Sequence, residues 1–305
     1  MTEPGVAVTA TVRADATDAS VATDADLERR FGGLRRLYGA AGYQRLRQAR
    51  IAVVGLGGVG SWAAEALARS GVAALVLIDL DQVAESNINR QVQALGQTLG
   101  QAKVLALQQR IKDIHPGCQV HAVEEFVDVD NWPTVLPLPV DVLIDACDQV
   151  RAKATLAAWG LATGVPVVCV GAAGGKRQPQ QVQVEDLAST THDPLLAALR
   201  QRLRKDHAAR RTGSLGLRCV FSREPVSAPI VSSADRTAPI ELDACGVDPA
   251  HDSSLNCHGY GSSVTVTATF GMVAAAEAIR LCVQGTAGTA PVLAGLEGLQ
   301  KPDIL

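Results

Sequence analysis

The stretch Arg50-Ile51-Ala52-Val53-Val54-Gly55-Leu56-Gly57-Gly58-Val59-Gly60 decides the fold. Its apolar, β-branched first half has no polar alternation, which reads as a strand buried on both faces. The glycines follow at once and open a helical pattern from Gly58 to Ser70. Glycines at such a junction allow a tight turn and let main-chain N–H groups approach a phosphate at a helix N-terminus. Ala74-Leu75-Val76-Leu77-Ile78-Asp79 then reads as a second buried strand, completing a βαβ unit of about 30 residues. Asp79 falls about 20 residues after the last glycine, where a carboxylate accepts hydrogen bonds from ribose hydroxyls.

Outward from this unit the alternation continues. A helix is predicted from Gln101 to Ile114, strands near Val120 and from Val140 to Asp145, a helix from Val150 to Thr163 and a strand from Val165 to Val170. Short helices fit the spacing of Phe31, Leu34, Leu37, Tyr43 and Leu46 ahead of the first strand. The pattern predicts an α/β protein: a Rossmann-like, doubly wound, mostly parallel sheet. After Gly171 the rhythm changes to an alternating Gln181-Val182-Gln183-Val184, a charged helix from Asp193 to Arg211 and a polar segment from Ser222 to Gly261. We read residues 1–26 as a disordered extension, 27–175 as the nucleotide-binding domain, 176–285 as a substrate-facing and dimerisation half that continues the sheet, and 286–305 as a flexible tail.

The 305 residues, 47% of them hydrophobic, are enough for one large core. A formal charge of -3 gives no global basic field, so a nucleic-acid partner would be met by a local patch. Seven cysteines form an odd set without a C-x-x-C pair, and the N-terminus has no basic-then-apolar leader, which together predict free thiols in a reducing cytoplasm. The apolar stretch Val264–Val283 carries three threonines, Glu277 and Arg280, and reads as a buried or interface helix with no membrane insertion.

The glycine motif and Asp79 would serve a nicotinamide dinucleotide equally well. What separates the readings is Ser86-Asn87-Ile88-Asn89-Arg90-Gln91, then Lys103, then Asp145-Ala146-Cys147-Asp148. A triphosphate has a use for all three: arginine clamps phosphate oxygens, lysine adds a compact charge, and a carboxylate holds the Mg²⁺ that neutralises departing pyrophosphate. Each residue also has an ordinary reading, with Lys103 as a solvated helix residue, Asn87 and Asn89 as turn formers and Asp148 as a helix N-cap. Their joint occurrence after the glycine motif favours adenylyl transfer.

These motifs resemble the ubiquitin-activating-type adenylyltransferase family, which includes the enzymes that activate molybdopterin and thiamine sulfur carriers. In that family the matching positions bind ATP. The resemblance assigns the adenosine side to Gly55, Gly57, Gly58, Gly60 and Asp79, the phosphates to the segment with Ser86, Asn87, Asn89 and Arg90 together with Lys103, and the metal and reacting phosphoryl group to Asp148. Gln149 stands where an asparagine is common. Carrier-activating members usually hold structural zinc on two C-x-x-C pairs; neither pair occurs here, and no structural zinc is expected.

A longer set of motifs is similar to one branch, the tRNA threonylcarbamoyladenosine dehydratases. It comprises Arg30-Phe31-Gly32-Gly33, Gly58 to Arg69, Cys219-Val220-Phe221-Ser222 and Val266 to Gly271. For that branch the resemblance implies ATP-driven cyclisation of threonylcarbamoyladenosine beside the tRNA anticodon, by adenylation of its carboxylate and ring closure with loss of AMP. The alternatives are activation of a sulfur-carrier C-terminus and an NAD-dependent oxidoreductase. The family further implies a homodimer in which Arg36, or else Arg35 or Arg30, reaches the partner's ATP. Arg200, Arg202, Arg204 and Lys205 are the candidate tRNA contacts within a basic run, or a solvated helix face. Cys257 is a candidate thiol nucleophile or acceptor from a sulfur-transfer protein, or a structural cysteine.

Overall fold

The computed structural model describes residues 23–228 and 260–285, with side chains from Leu27 onward. Helices α1 (Thr23–Phe31) and α2 (Gly33–Gln48) lead into strand β1 (Arg50–Val54). There follow α3 (Gly60–Arg69), β2 (Ala74–Ile78), α4 (Lys103–Ile114), β3 (Gln119–Val123), β4 (Val142–Asp145), α5 (Val150–Thr163) and β5 (Val167–Val170). The last elements are β6 (Val182–Asp186), α6 (Pro194–Asp206), β7 (Arg218–Ser222) and α7 (Val264–Gln284).

The seven strands among the described residues form one sheet in the order β3-β2-β1-β4-β5-β7-β6, parallel except for the edge strand β6, which runs antiparallel to β7. The predicted fold class is the one observed. Among the described residues the C-terminal half carries no separate sheet: β7 pairs with β5 and extends the nucleotide-binding strands. The chain builds β1, β2 and β3 in one direction and then returns to place β4 on the other side of β1, so the sheet reverses between β1 and β4. A crevice opens at the carboxyl ends of strands at such a reversal.

The helices cover both faces because the strands are apolar on both. One core joins Ile51, Val53, Leu75, Leu77 and Ile144 to α3, α4 and α7; the other joins Ala52, Val54, Val76 and Leu143 to α5 and α6. Helix α7 is long and apolar enough to cross a membrane by length and composition, yet half of its apolar stretch is buried within the protein. It packs against α3 through Gly271, where a Cβ would sit 2.8 Å from Trp62 Cβ and 2.9 Å from Ala63 N. Full burial of Phe270 on this helix is worth about 2–3 kcal/mol of apolar transfer.

Two sequence expectations shift. Helix α1 starts at Thr23, inside the segment read as an extension; residues 1–22 and the predicted tail at 286–305 lie outside the described residues. The charged helix ends at Asp206 and not at Arg211. His207 already leaves helical dihedrals, Ala208 has a positive φ of 50°, and Arg204 folds back to donate to the carbonyls of Arg210 and Arg211.

Candidate functional site

The carboxyl ends of β1 and β4 are adjacent, with Val54 opposite Asp145. Gly55 leaves β1 with φ 85°, and its N–H donates to Ile78 O at 2.9 Å. A Cβ there would lie 2.8 Å from Cys147 N, so only glycine lets the first loop press against the Ala146–Cys147 peptide. Gly60 is closed in the same way by the carbonyl of Gly55. At Gly58 a Cβ would come within 3.2 Å of Thr267 and 3.3 Å of Arg90 Cγ. A Cβ on Gly57, by contrast, would meet nothing within 4 Å, leaving a bare main-chain surface at the start of α3. Such a surface fits a phosphate at a helix N-terminus.

Asp79 follows β2 and turns its carboxylate under this loop. Its Oδ2 accepts the Leu56 N–H at 2.5 Å and its Oδ1 accepts the Asp81 N–H at 2.9 Å. Burial raises its pKa, opposed by the Lys103 ammonium and these two N–H groups. Lys103 is buried, not a solvated helix residue. Its Nζ donates to Asp81 Oδ2 at 2.7 Å and stands 3.9 Å from Asp79 Oδ1. Its own N–H bonds to Asp81 O, beside a bridge between Gln82 and Ala102, and this ties the first turn of α4 to the loop after β2. Asp79, Asp81 and Lys103 therefore form one charged cluster next to the glycine turn.

In the Ser86–Arg90 segment the side chains divide. Asn87 is buried and caps its own turn, accepting Ala84 N–H at 3.1 Å. Asn89 is exposed and reaches Ser262 O at 3.2 Å, linking this segment to the entry of α7. Ser86 contributes its carbonyl to Arg90 Nη1 at 2.6 Å, and Asn89 Oδ1 accepts from the same nitrogen at 3.0 Å. Trp62 Nε1 donates to Arg90 O at 2.9 Å, which fixes the main chain of Arg90, and the Arg90 side-chain stem packs beside Gly58. Asp148 follows β4 at the reversal point and is half-buried; Gln149, not Asp148, takes the N-cap position of α5.

Among the described residues no group of three or more His, Cys, Asp or Glu is placed to hold a metal. One carboxylate beside a phosphate cradle is nevertheless the donor set that Mg²⁺ uses when substrate phosphates complete its shell.

Three residues given no role in the sequence reading also shape this site, although Trp62 falls inside the Gly58–Arg69 motif. Gln93 is buried and donates to Leu56 O at 3.0 Å, and Trp62 positions Arg90. Lys153 lies wholly buried behind β4 and pairs with Asp145 at 3.0 Å. Its only sequence signal is a lysine flanked by alanines in a helix whose other charged residue is Arg151.

The remaining expected residues lie elsewhere. Arg30 donates to the carbonyls of Asp113 and Ile114, and Arg35 pairs with Glu28 and stacks over Tyr43, whereas Arg36 is exposed on α2. Arg200 is committed to Leu187 O and Thr190 O, Arg202 pairs with Asp206, and Arg204 caps the turn after α6; Lys205 is exposed. Cys257 lies outside the described residues. A cavity of about 310 Å³ lined by residues including His192, Arg200 and Val226 opens beside α6, close to the ends of β5 and β7.

The glycine turn, the acid after β2, and the Arg90, Lys103 and Asp148 groups define a Rossmann-like nucleotide-binding protein. A family model for the ThiF family matches residues 30–300, and the chain belongs to that family. It is 44% identical over 254 residues to tRNA threonylcarbamoyladenosine dehydratase of Escherichia coli (strain K12), covering 82% of this chain and 92% of the relative. Identity to the enzyme of the same name from Haemophilus influenzae (strain ATCC 51907 / DSM 11121 / KW20 / Rd) is 39% over 255 residues, covering 83% and 92%. Among solved structures, the E. coli tRNA N6-threonylcarbamoyladenosine dehydratase in complex with ATP superposes with a TM-score of 0.74. The two share 41% identity over 86% of this chain and 96% of that one. The same enzyme in complex with AMP gives a TM-score of 0.73 at 41% identity, covering 87% and 98%.

Proposed function

We propose that this protein uses ATP to cyclise threonylcarbamoyladenosine in tRNA, removing one water. The observation that carries the reading is the meeting of the glycine turn with the Ala146–Cys147 peptide at the β1/β4 reversal, with the cradle, Lys103 and the Asp148 loop together at the carboxyl ends of the central strands. Similarity to dehydratases over most of both chains, and to one solved with ATP and with AMP, supports it. A carboxylate is a poor acyl donor because oxide is a bad leaving group. Transfer of AMP to it creates an acyl-adenylate, which loses AMP when the neighbouring carbamoyl group attacks.

In this reading the main-chain N–H groups around Gly57 and the buried Lys103 hold ATP phosphates. Arg90 draws charge from the pyrophosphate, and Asp148 would hold a Mg²⁺ ion, which would supply electrostatic relief to the leaving group. Asp79 orders the loop under the adenosine and leaves its remaining lone pairs to the ribose. Residues 27–175 are the nucleotide-binding part and 176–285 the substrate-facing part. A homodimer is part of the proposal, with the exposed Arg36 as the arginine offered to the partner's ATP, since Arg30 and Arg35 are engaged within their own chain. Thiols at Cys118, Cys147, Cys169, Cys219 and Cys282 are unpaired, which fits action in a reducing cytoplasm.

The test is product analysis with ATP labelled at the α-phosphate. AMP and pyrophosphate should form only when tRNA carrying threonylcarbamoyladenosine is present. Formation of ADP, or pyrophosphate release with the label transferred equally to a sulfur-carrier peptide, would contradict the assignment. Activation of a sulfur carrier is the second reading, and it draws on 36% identity over 127 residues to the molybdopterin-synthase adenylyltransferase of E. coli (strain K12), which spans 42% of this chain.

A further inference from the structure

We propose that Lys153 is a positioning residue for the reaction, acting through the Asp145–Asp148 turn to aim the Asp148 carboxylate. The inference rests on Asp148 being the metal carboxylate. An ammonium has three N–H donors and no acceptor. Here all three have targets on one short segment: Asp145 Oδ1 at 3.0 Å, Asp145 O at 3.2 Å and Cys147 O at 2.9 Å. The Cys147 carbonyl belongs to the peptide whose nitrogen is that of Asp148, so fixing its plane fixes the direction in which Asp148 leaves the turn.

Asp145 completes the network from its side. Its Oδ1 accepts Cys147 Sγ at 2.8 Å and Cys147 N at 3.3 Å, so the turn closes on both partners of the ion pair. Lys153 is carried by α5, in the turn after Asp148, and its own N–H is bonded to Gln149 O at 3.0 Å. The lysine and the aspartate both have zero exposure. Burying such a pair costs desolvation that Coulomb attraction only partly returns, and apolar residues of equal volume are commonly as stable. Stability is therefore a weak reason for a charge pair at this place. Its position directly behind the loop at the β1/β4 crevice gives it another.

The experiment removes the pair without leaving one charge buried alone. In the full chain, Asp145→Asn/Lys153→Met deletes the ammonium, and Asp145→Asn/Lys153→Gln restores one neutral donor toward Cys147 O. ATP binding is measured by calorimetry in chelator and then at stepped Mg²⁺, with melting temperature as the check on folding. The Met variant should bind metal-free ATP as the parent does while its apparent Mg²⁺ affinity falls about 10–100-fold, the usual effect of losing a group that orients a metal ligand. The Gln variant should recover part of that loss, and kcat should fall in the same order while KM for ATP holds. A folded Met variant with parental Mg²⁺ dependence would overturn the proposal. Failure of both variants to fold would overturn it too, by making the lysine a folding requirement. Asp148→Asn is run beside them. If it leaves Mg²⁺ affinity at the parental value, the metal assignment fails and takes this proposal with it; if it weakens Mg²⁺ while the Met variant does not, only the Lys153 proposal fails.

Discussion

The Asp79 carboxylate accepts the main-chain N–H of Leu56 at 2.5 Å, across the gap between the end of β2 and the glycine turn after β1. This bond makes the acid a brace for the phosphate cradle before it is a ligand for ribose. Asp79→Ala should weaken ATP binding by about 10–100-fold, the range expected for a lost hydrogen bond to a charged group of about 1.5–3 kcal/mol. Asp79→Asn should recover part of it, because the amide oxygen still accepts from Leu56. Equal ATP affinities for parent and Asp79→Ala by calorimetry would remove the brace from the account.

Gly271 is the close-approach point between α7 and α3, and a side chain there would press on the main chain at Val59 and Ala63. Gly271→Val should lower stability by about 1–3 kcal/mol, the usual cost of overpacking. Because Val59 adjoins Gly58, ATP affinity should drop as well. Chemical denaturation and ATP titration on one preparation check both effects.

His115 is buried against Phe31, with Arg47 Nη1 2.9 Å from its Nε2. Burial, and then the Arg47 charge, lower its pKa to about 4 from an ordinary value of 6.5. The folded state therefore resists protonation that the unfolded state accepts. Stability is fully present above pH 6.5 and declines as pH falls toward 4, by at most about 3 kcal/mol. Melting midpoints measured across that window should show the decline, and His115→Gln should flatten it. An unchanged slope in the variant would assign the decline to other groups.

Much of the fold is legible in the sequence. The glycine turn and both buried strands of the first unit can be read because the strands are continuous apolar runs, one followed by Gly55 and the other by Asp79, and helix Val150–Thr163 because Gly164 stops it. Lys103 and Arg90 stand out by residue type, but the burial of Lys103 does not, since its pairing with Asp81 depends on a bridge between Gln82 and Ala102 that no local pattern encodes. Lys153 escapes notice for the same reason: its partners belong to a different strand end. The expected helix through Arg211 runs too far because charged residues continue a helical composition past a break made by the φ of Ala208. Strand β7 shows only as the motif Cys219–Ser222, its apolar run being too short to define a strand alone.

The basic run in and after α6 divides by geometry. Arg200 and Arg204 are spent on carbonyl oxygens, while Lys205, Arg210 and Arg211 are exposed. Replacing those three with Gln should flatten the salt dependence of tRNA binding, by up to about 0.9 in log–log slope for each phosphate no longer neutralised, with ATP affinity unchanged. Replacing Arg200 should act through folding instead. Filter binding across a salt series distinguishes the two.

The most direct test of the central claim is mass spectrometry of nucleosides from tRNA carrying threonylcarbamoyladenosine, after incubation with the protein, ATP and Mg²⁺. This nucleoside should lose one water, and Asp148→Asn should slow the loss by about 10²–10³, as removal of one preorganised electrostatic stabiliser does. An unchanged nucleoside, with the protein folded and ATP bound, would contradict that claim.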